Sequence, residues 1–122
     1  MIGYVTLGTN DLERAAPFYD AVLAEFGATR AMQLDRGILW SNGSGPAIIV
    51  TRPFDGNPAT VGNGTMVALE AASQEQVNKV HATALANGAQ DEGAPGNRGG
   101  TFYGAYFRDL DGNKLCVFHW PR

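Results

Sequence analysis

Three side chains of this 122-residue chain belong to the types most often recruited for nucleophilic or metal chemistry: one thiol, Cys116, and two imidazoles, His81 and His119. Cys116 and His119 lie three residues apart in a segment, Lys114 to His119, that reads as a strand. Side chains alternate faces along a strand, so this odd spacing sends the two to opposite sides and no single ion is held by both. His81 sits beside Val77 and Val80 in a stretch of helical periodicity. It falls on the flank of an apolar stripe, where a solvated or hydrogen-bonded imidazole is expected. A thiol becomes a nucleophile when a neighbouring cation lowers its pKa. No cation adjoins Cys116 in sequence, and Arg108, eight residues earlier, is the one a hairpin could bring beside it. The residue reads as a buried, inert thiol.

Two further patterns resemble ligand loops and fail on their spacing. Asp109, Asp111 and Gly112 suggest a calcium loop, which requires Gly at its sixth position and a bidentate Glu at its twelfth. Counted from Asp109, those positions hold Lys114 and Trp120. The stretch Asp91 to Thr101 carries Gly93, Pro95, Gly96, Gly99 and Gly100. It lacks the Lys-Ser/Thr ending of a phosphate-cradling loop and reads as a mobile flap.

The elements that position these residues read as one unit written twice. Ile2 to Leu7 alternates and is rich in β-branched and aromatic residues, the pattern of a strand. Asn10 with Glu13 three residues later has capping-box spacing, and Leu12, Ala15, Ala16, Tyr19, Val22, Leu23 and Phe26 then form a helical stripe closed by Gly27. Pro17 falls inside this helix and predicts a kink or a loosened first turn. Thr65 to Ala71 again reads as a strand. Ser73 with Gln76 caps a second helix whose stripe is Val77, Val80, Ala84 and Leu85, ending at Gly88. Strands follow each helix: Thr29 to Leu34, Gly37 to Ser41 and Ala47 to Arg52 in the first half; a weak one near Gln90, then Phe102 to Arg108 and Lys114 to His119 in the second. Thr51-Arg52-Pro53 matches His119-Trp120-Pro121 at an offset of 68 residues. The reading is a single domain over residues 1–122, with a first module to about residue 53, a connector over about 54–64 and a second module from about 65.

Composition narrows the function classes. Nine Lys and Arg against twelve Asp and Glu give a net charge of −3, which leaves no electrostatic footprint for a nucleic acid or an anionic membrane. No apolar run reaches the roughly 18 residues of a spanning helix, and Met1-Ile2-Gly3-Tyr4 lacks the pattern of a signal peptide. With a single cysteine no internal disulfide forms, and the expected location is cytoplasmic.

The chain resembles the vicinal oxygen chelate superfamily, which includes glyoxalase I, extradiol dioxygenases, fosfomycin-resistance enzymes and bleomycin-resistance proteins. The residues that carry the resemblance are Tyr4-Val5-Thr6-Leu7 leading to Asp11-Leu12-Glu13 and Phe18-Tyr19, and the late hairpin Tyr106-Phe107-Arg108-Asp109-Leu110-Asp111-Gly112-Asn113-Lys114-Leu115. Leu110 stands where the family usually has Pro. The resemblance implies an α+β fold in which two βαβββ modules form a cupped, mostly antiparallel eight-stranded sheet with helices outside, and it implies paired subunits. Metal-using members place His, Gln or Glu on the first and last strand of each module, leaving open positions for substrate oxygens. Carried over residue by residue, those positions hold Tyr4, Ile48 (68 residues before Cys116), Met66 and Cys116. These are not the nitrogen and oxygen donors that Fe, Mn, Ni or Mg sites need. No metal and no cofactor are expected.

Strand alternation then assigns the contents of the cup. Tyr4 and Thr6 come from the first strand, Met66, Ala68 and Glu70 from the fifth, Gly104, Tyr106 and Arg108 from the seventh, and Cys116 and Phe118 from the eighth, with Trp40 added. Arg108 and Glu70, costly to bury alone, are expected either to pair together or to meet a ligand. The predicted activity is metal-free binding of a small organic molecule by a homodimer. The alternatives are a glyoxalase-like lyase or dioxygenase-like metalloenzyme with atypical ligands, catalysis by Tyr4, Tyr106 or Cys116 without metal, and a dimerising interaction module.

Overall fold

The computed structural model describes residues 1–122. The first module runs β1 (Tyr4–Gly8), α1 (Leu12–Ala24), β2 (Thr29–Gln33), β3 (Gly37–Ser41) and β4 (Ala47–Thr51). The second repeats it as β5 (Val67–Glu70), α2 (Gln74–Ala86), β6 (Gln90–Gly99), β7 (Phe102–Arg108) and β8 (Lys114–His119). The strands form two four-stranded sheets of identical order, β1-β4-β3-β2 (sheet A) and β5-β8-β7-β6 (sheet B). In each sheet the first strand pairs parallel with the last and the other pairs are antiparallel. The α+β fold of two βαβββ modules is therefore as the sequence predicts, with the eight strands divided between two four-stranded sheets rather than joined in one. No strand of one sheet pairs with the other, so β1 and β5 each keep a free edge.

Each helix covers one face of its own sheet. α1 buries Leu12, Ala15, Ala16, Phe18, Tyr19, Val22 and Leu23, and α2 buries Val77, Val80, His81 and Ala84. All of these but His81 join Leu7, Ile38, Trp40, Ile48 and Val50 of sheet A and Ala105, Phe107, Leu115 and Val117 of sheet B in one continuous core. The Phe18 ring meets Phe107 edge-on at 6.4 Å across the two modules, and burying an aromatic side chain of this size contributes about 1.5–3 kcal/mol. The opposite faces of both sheets are turned away from the helices.

Local chemistry explains the element ends, with three departures from the sequence reading. Ser73 caps α2 by accepting from Gln76 N at 3.1 Å, while Gln76 Oε1 takes the Ala72 N–H at 2.7 Å. Gly27 and Gly88 close the two helices at φ of +73° and +101°, a region open to glycine at no steric cost. At α1, however, the cap is Asp11, which accepts from Arg14 N at 3.1 Å. Asn10 is drawn off into tertiary bonds, its N–H to Asp111 Oδ1 at 2.9 Å and its amide to the backbone of Ala59 in the connector. α1 also runs through Pro17 without a break. Glu13, whose carbonyl loses its donor, lies on the exposed face, which leaves that carbonyl accessible to solvent. The third departure is the glycine-rich stretch read as a flap. Residues 90–99 form the long strand β6, paired to β7 with register shifts at Asp91/Gly93, Gly93/Gly96 and Asn97/Gly99. Bulges of this kind destroy the alternation by which a strand is recognised in sequence. No helix is long and apolar enough to cross a membrane.

Candidate functional site

The late hairpin serves first as a joint. Asp109 Oδ1 accepts from the N–H groups of Asp111 and Asn113, both at 2.9 Å, and Oδ2 accepts from Asn113 Nδ2 at 2.9 Å and from the phenol of Tyr19 on α1. Asn113 Nδ2 also donates to the Gly8 carbonyl of β1 at 2.9 Å, and Arg14 donates to the Leu110 carbonyl at 3.1 Å. The turn of module two is thus bolted to the β1–α1 junction of module one. Burial and then the Asp109 carboxylate push the Tyr19 phenol well above its ordinary pKa, so it remains a donor.

The hairpin strands present a polar and aromatic surface on the open face of sheet B. Tyr106 and Cys116 are register partners, as are Gly104 and Phe118. Cys116 is 1% exposed. Burial raises its thiol pKa, against the lowering pull of the Tyr106 hydroxyl, Arg98 and Lys114, and burial together with the Cys116 sulfur raises that of Tyr106. Both groups are therefore neutral at neutral pH. The Arg98 guanidinium and the Lys114 ammonium stand 5.5 and 5.6 Å from the centre of the Tyr106 ring. One row along, Phe102 and Phe118 stack at 5.4 Å with ring planes 7° apart, and Trp120 meets Phe102 edge-on at 5.4 Å.

The remaining residues predicted for the cup are distributed more widely. Tyr4 and Thr6 line a cavity of about 370 Å³ with Leu34, Asp35, Arg36, Ile49 and Thr51, all from module one. Met66 is exposed, and Ala68 and Glu70 of β5 lie beside Cys116 and Phe118 of β8. Arg108 and Glu70 do not pair with each other. Arg108 binds Glu92 at 2.8 Å and Glu70 approaches Arg122 at 3.7 Å, because β6, unrecognised as a full strand, brings Glu92 alongside β7. Trp40 belongs to the other face: it is 1% exposed, packs on Tyr19 at 5.8 Å and donates from Nε1 to Asp20 at 2.9 Å. Ile48 is likewise a core residue, and it is Ile49 that shares the open face with Tyr4 and Thr6. An odd offset would have been needed to keep parity with Cys116, and 68 is even. His81 is buried and bonded to Asp91 at 3.0 Å, while His119 meets the Ala71 carbonyl at 3.2 Å. An apolar cavity of about 400 Å³ lies between the modules, walled by Val5, Leu23, Phe26, Val67 and Leu69, and it also brings together Trp40, Ala68 and Glu70 of the residues predicted for the cup.

Sequence reasoning passed over Arg98, Lys114 and Phe102. Lys114 and Phe102 were legible, each an even number of residues from Cys116 or Tyr106 on its own strand; Arg98 was hidden by the bulges of β6.

A model of the Glyoxalase/Bleomycin resistance protein/Dioxygenase superfamily matches residues 1–117. The chain belongs to this superfamily. A crystal structure of a glyoxalase/bleomycin resistance protein from Albidiferax ferrireducens T118 is 38% identical, covers 99% of each chain and superposes with a TM-score of 0.90. A lactoylglutathione lyase from Agrobacterium tumefaciens is 21% identical over 98% of this chain and 92% of its own, with a TM-score of 0.73. TioX from Micromonospora sp. ML1 is 20% identical over 99% of both chains, with a TM-score of 0.68. The last two are likenesses of fold. No curated protein matches the chain.

The superfamily's metal chemistry can be tested against these side chains. A phenol, an isoleucine, a thioether and a protonated thiol occupy the expected ligand positions, and no three His, Cys, Asp or Glu side chains converge anywhere in the fold. This donor set does not fit a hard divalent ion.

Proposed function

We propose that this superfamily member binds a small organic molecule, without a metal ion, on the open aromatic face of sheet B. The observation that carries the reading is the pairing of Tyr106 with Cys116 where a metal-using relative would need an acidic ligand. The Phe102/Phe118 pair and the polar groups beside it offer a flat ligand apolar ring area and fixed polar contacts. The cup is completed by a second copy of the chain. Supporting this are the free edges of β1 and β5 and the exposed apolar side chains Tyr4, Met32 and Met66. A single unpaired thiol suits a cytoplasmic setting.

The test is a thermal-shift screen of flat aromatic compounds, run with light scattering for mass and metal analysis of the freshly purified protein. A ligand at a hundred times its Kd stabilises the fold by about 2.7 kcal/mol, so a binder raises Tm visibly. A dimer with binders and substoichiometric metal supports the reading. Stoichiometric iron, nickel or zinc would replace it with a metalloenzyme, and a dimer that binds nothing in the screen would replace it with an interaction module.

A further inference from the structure

The nine basic side chains of this net-negative protein are not evenly engaged. Six have a carboxylate within ion-pair distance. Of the other three, Arg36 stacks on Phe54, while Arg98 and Lys114 converge on the same ring, Tyr106. Two carboxylates of sheet B have other cationic partners, Glu92 with Arg108 at 2.8 Å and Glu70 with Arg122 at 3.7 Å. Two positive charges thus flank one phenol with no carboxylate of the chain within ion-pair distance of either, which leaves both open to an anionic ligand.

The backbone is shaped for this arrangement. Gly93 and Gly96 of β6 lie beneath Arg98: a Cβ at Gly93 would come within 3.0 Å of Tyr106 Cδ2 and 3.2 Å of Arg98 Nη2, and one at Gly96 within 2.9 Å of Arg98 Nη1. Only bare strand lets the guanidinium lie across β6 and reach the ring on β7. Arg98 Nη2 donates to the Ala94 carbonyl, which holds the side chain in that position. Gly104 leaves room for Phe102 to stack on Phe118, since a Cβ there would meet Phe102 Cε1 at 2.9 Å. The stacked pair lies one row, about 7 Å, from the Tyr106/Cys116 row on the same face. A charged end and a flat apolar end are thus presented side by side.

We infer that the ligand is an aromatic anion, its negative group seated beside Tyr106 in the field of Arg98 and Lys114 and its ring system laid toward Phe102 and Phe118. This rests on the proposed binding function and adds the charge and shape of the molecule. Carboxylates and sulfonates meet the requirement equally.

The probes are two fluorescent dyes with the same arylamine skeleton, 8-anilinonaphthalene-1-sulfonate and the uncharged N-phenyl-1-naphthylamine, titrated into the wild-type protein and an Arg98→Gln/Lys114→Gln double variant. Arg98 is exposed and Lys114 half-buried, and matching Tm values establish that the variant is folded. The expected result is that the double variant raises the Kd of the sulfonate about tenfold and leaves that of the neutral dye within about twofold, with added salt weakening only the sulfonate. Equal changes for both dyes, or none for the sulfonate, overturn the anion assignment and leave small-molecule binding standing. Failure of both dyes to bind the wild-type protein overturns the assignment and counts against the binding function as well.

Discussion

The phenol of Tyr19 in α1 donates to the carboxylate of Asp109 in the β7–β8 turn, joining residues 90 apart in sequence. The carboxylate is 5% exposed and the tyrosine 1%, so the bond lies in the continuous core shared by the two modules. Asp109 also organises its own turn through the N–H groups of Asp111 and Asn113. One carboxylate therefore shapes the hairpin that carries Tyr106 and Cys116 and fixes that hairpin against module one.

Tyr19→Phe removes the donor while keeping the ring. Asp109 retains three partners, so the loss is that of one hydrogen bond to a charged group, about 1.5–3 kcal/mol. Urea unfolding should show a lower midpoint with unchanged slope. The pH dependence has a defined sign. The folded pKa of Tyr19 is raised by burial and by Asp109, so its contribution is intact below the unfolded phenol's value of about 10 and is lost as pH rises above it. The difference between wild type and Tyr19→Phe should be full at pH 7 and shrink in strong alkali.

Asp20 carries the opposite dependence. Its pKa is lowered, chiefly by the Arg30 guanidinium and also by the Trp40 indole N–H, at distances of 2.7 to 2.9 Å. A depressed carboxyl stabilises the fold above its unfolded value of about 4 and ceases to do so as pH falls through the folded value. Asp20→Asn should therefore be less stable than wild type at pH 7 and converge with it near pH 2. In a Trp120→Phe background, where Trp40 is the sole indole, its emission should shift over the same acid range.

Gly37 makes a steric prediction. A Cβ there would stand 2.6 Å from Thr51 Cβ and 2.8 Å from Thr51 Cα, and would also press on the Val50 carbonyl. Those atoms belong to the neighbouring strand β4, paired with Gly37 in register, and cannot turn aside as a side-chain tip can. Gly37→Ala should cost about 1–3 kcal/mol, the usual range for overpacking, read as a fall in Tm. Ala at Gly3, where a Cβ meets nothing within 4 Å, is the matched control.

The duplicated architecture was legible because its signals are local. Helical stripes at Leu12 to Phe26 and Val77 to Leu85, the Ser73 cap and the glycine stops all act within a few residues. What sequence could not supply were the choices made by tertiary contact. Asn10 satisfies the capping rule, yet Asp111 and Ala59 claim it. Trp40 has the size and polarity of a pocket residue, yet Asp20 anchors it on the core side. The face of sheet B that holds Tyr106, Cys116 and Phe118 followed from alternation alone. Arg98 did not, because each bulge in β6 resets the parity on which alternation depends.

Cys116 provides the last prediction. Thiols react as thiolates, and burial raises the pKa of this one despite the nearby Tyr106 hydroxyl and the Arg98 and Lys114 charges. At 1% exposure the sulfur is also shielded from reagents. Native protein at pH 7.5 should be alkylated by iodoacetamide about tenfold or more slowly than the urea-unfolded chain, whose thiol has an ordinary pKa near 8.5. Tyr106→Phe removes the neighbouring hydroxyl whose influence favours the thiolate, so it should shift the alkylation profile to higher pH without speeding the reaction at pH 7.5. Rapid native alkylation would instead identify an open, activated thiol, and catalysis by Cys116 would then become the stronger account of this face of the sheet.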